Sequence, residues 1–177
     1  MTSILEQMEK YRSEISGWFD HLHRRPELSM REEATAAYIA GLVRSWGYRV
    51  ETGVGKHGVV ASLTCGDGNA AVGIRADFDA LPIQEDNDLS YKSEVAGVAH
   101  LCGHDGHTVM LLGAAKYLAK ERNFNGTLRL FFQPGEETME GGPAMIRDGL
   151  FERFPVDAVF AMHNMPGLEQ GKFYFTP

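Results

Sequence analysis

The chain has 177 residues, 44% of them hydrophobic, which suits one domain with a substantial core. Its formal charge of −7 and the absence of any Lys/Arg-rich run speak against nucleic acid as a partner and against docking on anionic membranes. The two cysteines, Cys65 and Cys102, lie far apart with no CxxC pair, so a disulfide scaffold and a four-thiolate zinc site are both excluded.

The N-terminal stretch alternates charged and apolar residues. It has neither the basic start nor the unbroken apolar core of a signal peptide. No apolar run approaches the roughly 20 residues a membrane helix needs. A reducing cytoplasm is the expected setting.

Residues 4–23 read as one amphipathic helix, with Ile4, Met8, Tyr11, Ile15, Trp18, Phe19 and Leu22 at helical spacing. "RRPELS" breaks it. Ser29 and Glu32 then stand at capping-box spacing before a second helix that runs to about Trp46, with Gly47 as its stop. "YRVETGV", "GVVASLTC" and "AVGIRAD" are short β-branched runs separated by turn formers and read as strands. Residues 78–103 read as a long loop. A helix is expected from about Asp105 through "HTVMLLGAAKYLAKER", followed by a strand at "GTLRLFFQP". A short helix in "GGPAMIRDGLF" and a strand at "DAVFAMHN" come next. "GKFYFTP" reads as the start of one more strand, left unpaired and prone to association. The alternation of helices with apolar strands predicts an α/β layered fold with a partly parallel sheet.

Four places put polar groups where strands end or a helix begins. They are Asp77 and Asp79 in "IRADFDALP", the cluster "HLCGHDGH", Glu136 and Glu137 in "LFFQPGEET", and His163 in "FAMHNMP". In open α/β sheets the carboxyl ends of strands gather ligands, so the four can converge. Singly, each has an ordinary explanation: a satisfied histidine, a solvated turn, a buried thiol. Together they supply thiolate, imidazole and carboxylate, which suit zinc and related first-row metals. The expected ligands are Cys102, His104, Glu137 and His163. Asp79 would orient one of them, and Glu136 would remain free to transfer protons. The turn after "QPG" lets adjacent glutamates face one site, which a regular strand forbids. His100 and His107 flank the cluster and are candidates for a supporting role. His21 and His23 suit the end of the first helix, where positive charge favours the dipole, and His57 reads as surface.

The blocks "DHLHRRPELSMREEATAAYI", "RADFDALPIQE", "HLCGHDGHTVMLLGAA", "GTLRLFFQPGEE" with "GGPAMIRDG", and "AMHNMPGLEQGKFYF" resemble, in order, those of the amidohydrolase (aminoacylase) branch of the co-catalytic metallopeptidases. That branch includes hippurate hydrolases, auxin–amino acid conjugate hydrolases and N-acetyl-diaminopimelate deacetylases. The resemblance covers nearly the whole chain. Ala99 and Leu101 depart from the usual Met and Ala of the family at packing positions. The resemblance implies a layered α/β/α zinc-peptidase-like catalytic domain and metal-dependent hydrolysis of N-acyl amino acids. It implies two divalent ions (Mn, Zn, Co or Ni) on Cys102, His104, Glu137 and His163. Glu136 matches the general base, Asp79 the supporting aspartate, and Asp77 and His107 are family positions of less defined role. Family members are about twice as long, with an inserted lid or dimerisation domain and a returning segment that adds a further metal-binding histidine. Residues 1–177 therefore read as the N-terminal part of the catalytic domain, truncated before that insertion. The full-length form is open to homo-oligomerisation, and the isolated chain is expected to be impaired. Two rivals remain: Cys102 as a nucleophile paired with a histidine, and a non-catalytic truncated relative serving as a binding module. A purely structural metal site is a third.

Overall fold

The computed structural model describes residues 3–175. Its elements run α1 (Ile4–Met8), a 3-10 turn (Glu9–Tyr11), α2 (Arg12–Arg24), α3 (Glu33–Ser45), β1 (Arg49–Val54), β2 (Gly58–Cys65), β3 (Ala71–Asp77), α4 (His104–Glu121), β4 (Gly126–Gln133), α5 (Gly141–Arg147), α6 (Leu150–Arg153) and β5 (Ala158–Ala161). The five strands form one mixed sheet in the order β1-β2-β4-β3-β5. β1 and β2 form a hairpin, and β2 pairs antiparallel with β4. β3 is parallel to both β4 and β5. The layered α/β/α architecture with a partly parallel sheet is the one expected.

Strand alternation decides the layers. Val59, Ala61 and Leu63 of β2 and Leu128, Leu130 and Phe132 of β4 point to one face. There they join Trp18 and Leu22 of α2, Ile39 and Val43 of α3, and Leu111 and Leu112 of α4 in the main core. Val60 and Phe131 point the other way, onto Met145 and Leu150 of α5 and α6. β3 connects through α4 to β4 on one side. β4 connects through α5 and α6 to β5 on the other. The carboxyl ends of β3, β4 and β5 thus open onto a switch point of the sheet, where such folds place their sites.

Three sequence expectations need correction. The first helix is not continuous: a capping box of Ser3 and Glu6 starts α1, and a 3-10 turn at Glu9–Tyr11 separates it from α2. Ser29 and Glu32 do not form a capping box, since α3 starts after Glu32 with no side-chain cap. The Ser29 hydroxyl donates to Asp79 Oδ2 at 2.7 Å. Buried Glu32 instead accepts from the backbone N–H groups of Met30 and Gly135. Finally, residues 171–175 form no strand, and Pro177 and its neighbour Thr176 lie outside the described residues. Phe173 and Phe175 are 76% and 89% exposed. An alternating apolar run becomes a strand only where a ladder partner receives it, and none does among the described residues. The edge strands of the sheet are β1 and β5.

Candidate metal centre

The site is built from the loops that leave β3, β4 and β5 and from the first turn of α4. Asp79 is its organiser. Its Oδ1 accepts from His104 Nδ1 at 3.0 Å. Its Oδ2 accepts from Ser29 Oγ at 2.7 Å and from the Glu137 backbone N–H at 2.9 Å. One buried carboxylate therefore fixes an imidazole and the turn carrying both glutamates. Burial pushes the Asp79 carboxyl upward, but the bonds from His104, Ser29 and the Glu137 and Glu136 backbone outweigh it and hold it at about 2.

With Nδ1 of His104 committed to Asp79, Nε2 carries the free lone pair. It is completely buried and has no hydrogen-bond partner among the described residues. Glu137 Oε1, 3.7 Å away, is equally unpartnered. Glu136 Oε2 stands 3.8 Å from the same nitrogen. Both glutamates reach it because the backbone turns at Glu136–Met139, where the Met139 N–H donates to the Glu136 carbonyl. His163 shows the same preparation: its Nδ1 donates to the Asn164 carbonyl at 2.6 Å, and its Nε2 lies 3.7 Å from Cys102 Sγ.

Two ligand-capable groups emerge and share His104. Cys102, His104 and Glu137 form one; Asp77, His104, His107 and His163 form the other. In each, the donor atoms lie within 4.8 Å of one another. Donors around a tetrahedral ion with bonds of 2.0–2.3 Å stand ~3.5 Å apart, which fits the separations near 3.7 Å. The two sets can coordinate two divalent ions. The chemistry of the set agrees: Asp77, Asp79, Glu136 and Glu137 crowd around His104, and Arg75 supplies the nearby fixed cation, 2.7 Å from Asp77 Oδ2. Burial, and then the bond to and charge of Glu137, push the Cys102 thiol up to about 12. A protonated thiol among carboxylates is a poor nucleophile, whereas an added cation reverses the balance and favours the thiolate.

The nominated ligands, base and supporting aspartate lie together at this site: Cys102, His104, Glu136, Glu137 and His163 on its wall, and Asp79 behind His104, whereas His100 lies beside His23 and in neither donor set. Other residues were not anticipated. Asn164 meets His107 Nε2 with its side-chain Oδ1 at 2.5 Å and with its backbone N–H at 3.1 Å, while His107 Nδ1 meets Asp77 Oδ1 at 2.7 Å. Both ring nitrogens of His107 are thereby engaged. Gly103 has φ +95°, and a Cβ there would stand 2.4 Å from Asn164 Oδ1, so only glycine lets the cysteine loop approach. Glu32 holds Gly135, the residue before Glu136, at 2.7 Å. Ser29, Glu32 and Asn164 sit in the quoted motifs, yet their partners are distant in sequence, and spacing alone does not reveal them.

Comparison with known proteins now gives this site a family. Residues 73–177 match the sequence pattern of Peptidase family M20/M25/M40, and the chain belongs to that family. It is 50% identical to the hippurate hydrolase of Campylobacter jejuni over 168 residues, which cover 95% of this chain and 42% of that protein. It is 40% identical to the N-acyl-L-amino acid amidohydrolase of Geobacillus stearothermophilus, over 96% of this chain and 46% of the relative. Among solved structures, a Bacillus subtilis protein described as a dinuclear metal binding peptidase superimposes with a TM-score of 0.84 at 35% identity, covering 90% of this chain and 45% of its own. A protein from methicillin-resistant Staphylococcus aureus gives 0.92 at 38% identity, covering 98% and 46%. The chain thus spans somewhat less than half the length of these relatives.

Proposed function

We propose that these residues form the N-terminal part of the catalytic domain of a metal-dependent amidohydrolase that cleaves the amide bond of N-acyl amino acids, hippurate-like or N-acetylated. The observation that carries the reading is the donor set of Cys102, His104 and Glu137, with His104 Nε2 and Glu137 Oε1 buried and unpartnered and His163 Nε2 3.7 Å from Cys102 Sγ. Cys102, His104, Glu137 and His163 would hold two divalent ions of the Mn, Zn, Co or Ni class. Such ions supply an acidified water and polarise an amide carbonyl.

The chain's own residues divide the remaining work. Asp79 fixes the His104 tautomer and the Glu137 backbone at once, so both ligands are oriented before any ion arrives. Glu136 has a part-exposed side chain, and in this reading it is not a ligand. It takes the proton of the attacking water and returns it to the leaving amine nitrogen. His107, pinned between Asp77 and Asn164, holds the His163 loop against α4, its ring 4.4 Å from that of His163. The products are a carboxylic acid and a free amino acid. No helix among the described residues is long and apolar enough to cross a membrane.

The chain spans less than half the length of these relatives, so weak metal binding and slow turnover are expected of the chain alone. The test is release of free amino acid from hippurate and N-acetyl amino acids by the chain loaded with each metal in turn. Metal-dependent release, abolished by Glu136→Gln with metal content retained, is the expected result. Release that survives chelation would return Cys102 to consideration as a nucleophile. No release even when the missing half of a relative is supplied in trans would favour the binding-module reading.

A further inference from the structure

A second cluster of charge lies at the other end of the sheet. Arg49, Ser62 and Arg129 stand in one row across β1, β2 and β4, paired Arg49 with Ser62 and Ser62 with Arg129. This row is on the face that α5 and α6 cover. Those helices reach only the half nearest the metal centre, around Val54, Val60 and Phe131. The other half is left as a cavity of about 460 Å³, lined by Arg49, Arg122, Arg129 and Arg153 together with Ser62 and Phe154, among others. Its volume falls in the range of small-molecule sites, about 300–1,000 Å³.

The charge in this cavity is unbalanced. Glu51 is the carboxylate in its lining, and Arg153 already binds it at 2.9 Å. Arg49, Arg122 and Arg129 have no ion-pair partner among the described residues, in a protein whose net charge is −7. Arg129 is half-buried and held rigidly. Its Nε donates to the Pro155 carbonyl at 3.0 Å and a terminal nitrogen to Ser62 Oγ at 2.9 Å. Its guanidinium stands 5.7 Å from the Phe154 ring, with Arg153 at 5.2 Å from the same ring. Burial, and then the charge of Arg49, press against the protonated form of Arg129. Like charges gathered around fixed guanidinium planes are what a multivalent oxyanion compensates, and guanidinium forks match phosphate and carboxylate oxygens in pairs.

We propose that this cavity binds a small polyanion carrying at least two phosphate or carboxylate groups. It is separate from the metal centre: along β4 from Thr127 to Gln133 the sheet rises roughly 20 Å, and the catalytic residues follow the far end. The proposal stands whether or not the chain hydrolyses amides.

Titration of the metal-stripped, desalted chain with pyrophosphate and separately with tricarballylate tests it, followed by calorimetry and by the arginine Nε–H resonances. Saturable one-to-one binding with Kd below about 1 mM is expected at about 0.1 M salt. The double variant Arg49→Gln/Arg122→Gln, which alters exposed side chains, should weaken it at least about tenfold. Arg12→Gln, on α2, should leave it unchanged. Preference for pyrophosphate would assign a phosphate ligand, and equal or better binding of tricarballylate a carboxylate one. Absence of saturable binding to either, or equal binding by wild type and the double variant, would overturn the site.

Discussion

Asp79 shows how much one side chain carries here. It links His104, Ser29 and the Glu137 backbone, and its folded carboxyl sits at about 2, below the ordinary ~3.9 of an aspartate. A depressed carboxylate contributes stability that is present above its unfolded value and is lost as pH falls through the folded one. Between about pH 4 and pH 2 the chain should therefore lose stability, and Asp79→Asn should flatten that limb in urea titrations followed by circular dichroism. The same variant should weaken metal affinity by ~10–100-fold, because an amide has one oxygen where His104, Ser29 and the Glu137 N–H now use two, and it lacks the charge that orients His104. The sequence could nominate Asp79, Cys102, His104, Glu136, Glu137 and His163 because each sits where a strand ends or a helix begins, and the fold brings them together. Glu32 and Asn164 were not legible in this way. Glu32 mimics a capping box by spacing, and only the fold shows that its acceptor work is spent on Gly135, 103 positions away.

At the scale of elements, α2, the long loop of residues 78–103 and α4 are tied by His23. Its Nδ1 meets Asp105 Oδ2 at 2.6 Å and its Nε2 meets Glu85 Oε1 at 3.2 Å, all three residues buried. Asp105 follows His104 directly, so this tie holds the first turn of the helix that carries the site. The sequence suggested only a histidine suited to a helix end, since its partners lie 82 and 62 residues away. The bond to Asp105 raises the His23 pKa against burial, and the bond to Glu85 adds to it. A raised histidine contributes stability that is complete below its unfolded value near 6.5 and is lost as pH rises through the folded value. Thermal midpoints should fall on the alkaline side of neutrality in the wild type. They should be flat there in His23→Leu, which should also lose about 3–5 kcal/mol by leaving two buried carboxylates unpaired. The main strands and α4 were legible from alternation and helical spacing. The break between α1 and α2 was not, because the apolar spacing runs through the 3-10 turn uninterrupted.

At the scale of the whole molecule, the sheet has two edge strands, β1 and β5, and β5 is the one that carries exposed apolar side chains. Val159 and Phe160 on that edge are 44% and 62% exposed. An uncovered apolar edge invites pairing with another chain, so sedimentation should show concentration-dependent association that Phe160→Lys reduces. The order of the strands, and thus the meeting of three loops at one point, follows from connections that no local pattern encodes.

The central claim is that Cys102, His104, Glu137 and His163 form a metal centre. Cobalt(II) titration of the intact chain tests it most directly, because a thiolate ligand gives a near-ultraviolet charge-transfer band. The band should grow to saturation, vanish in Cys102→Ser, weaken in His104→Ala and persist in Cys65→Ser, whose cysteine is buried away from the site in the main core. A missing band at saturating cobalt, or one that survives Cys102→Ser, would contradict the account.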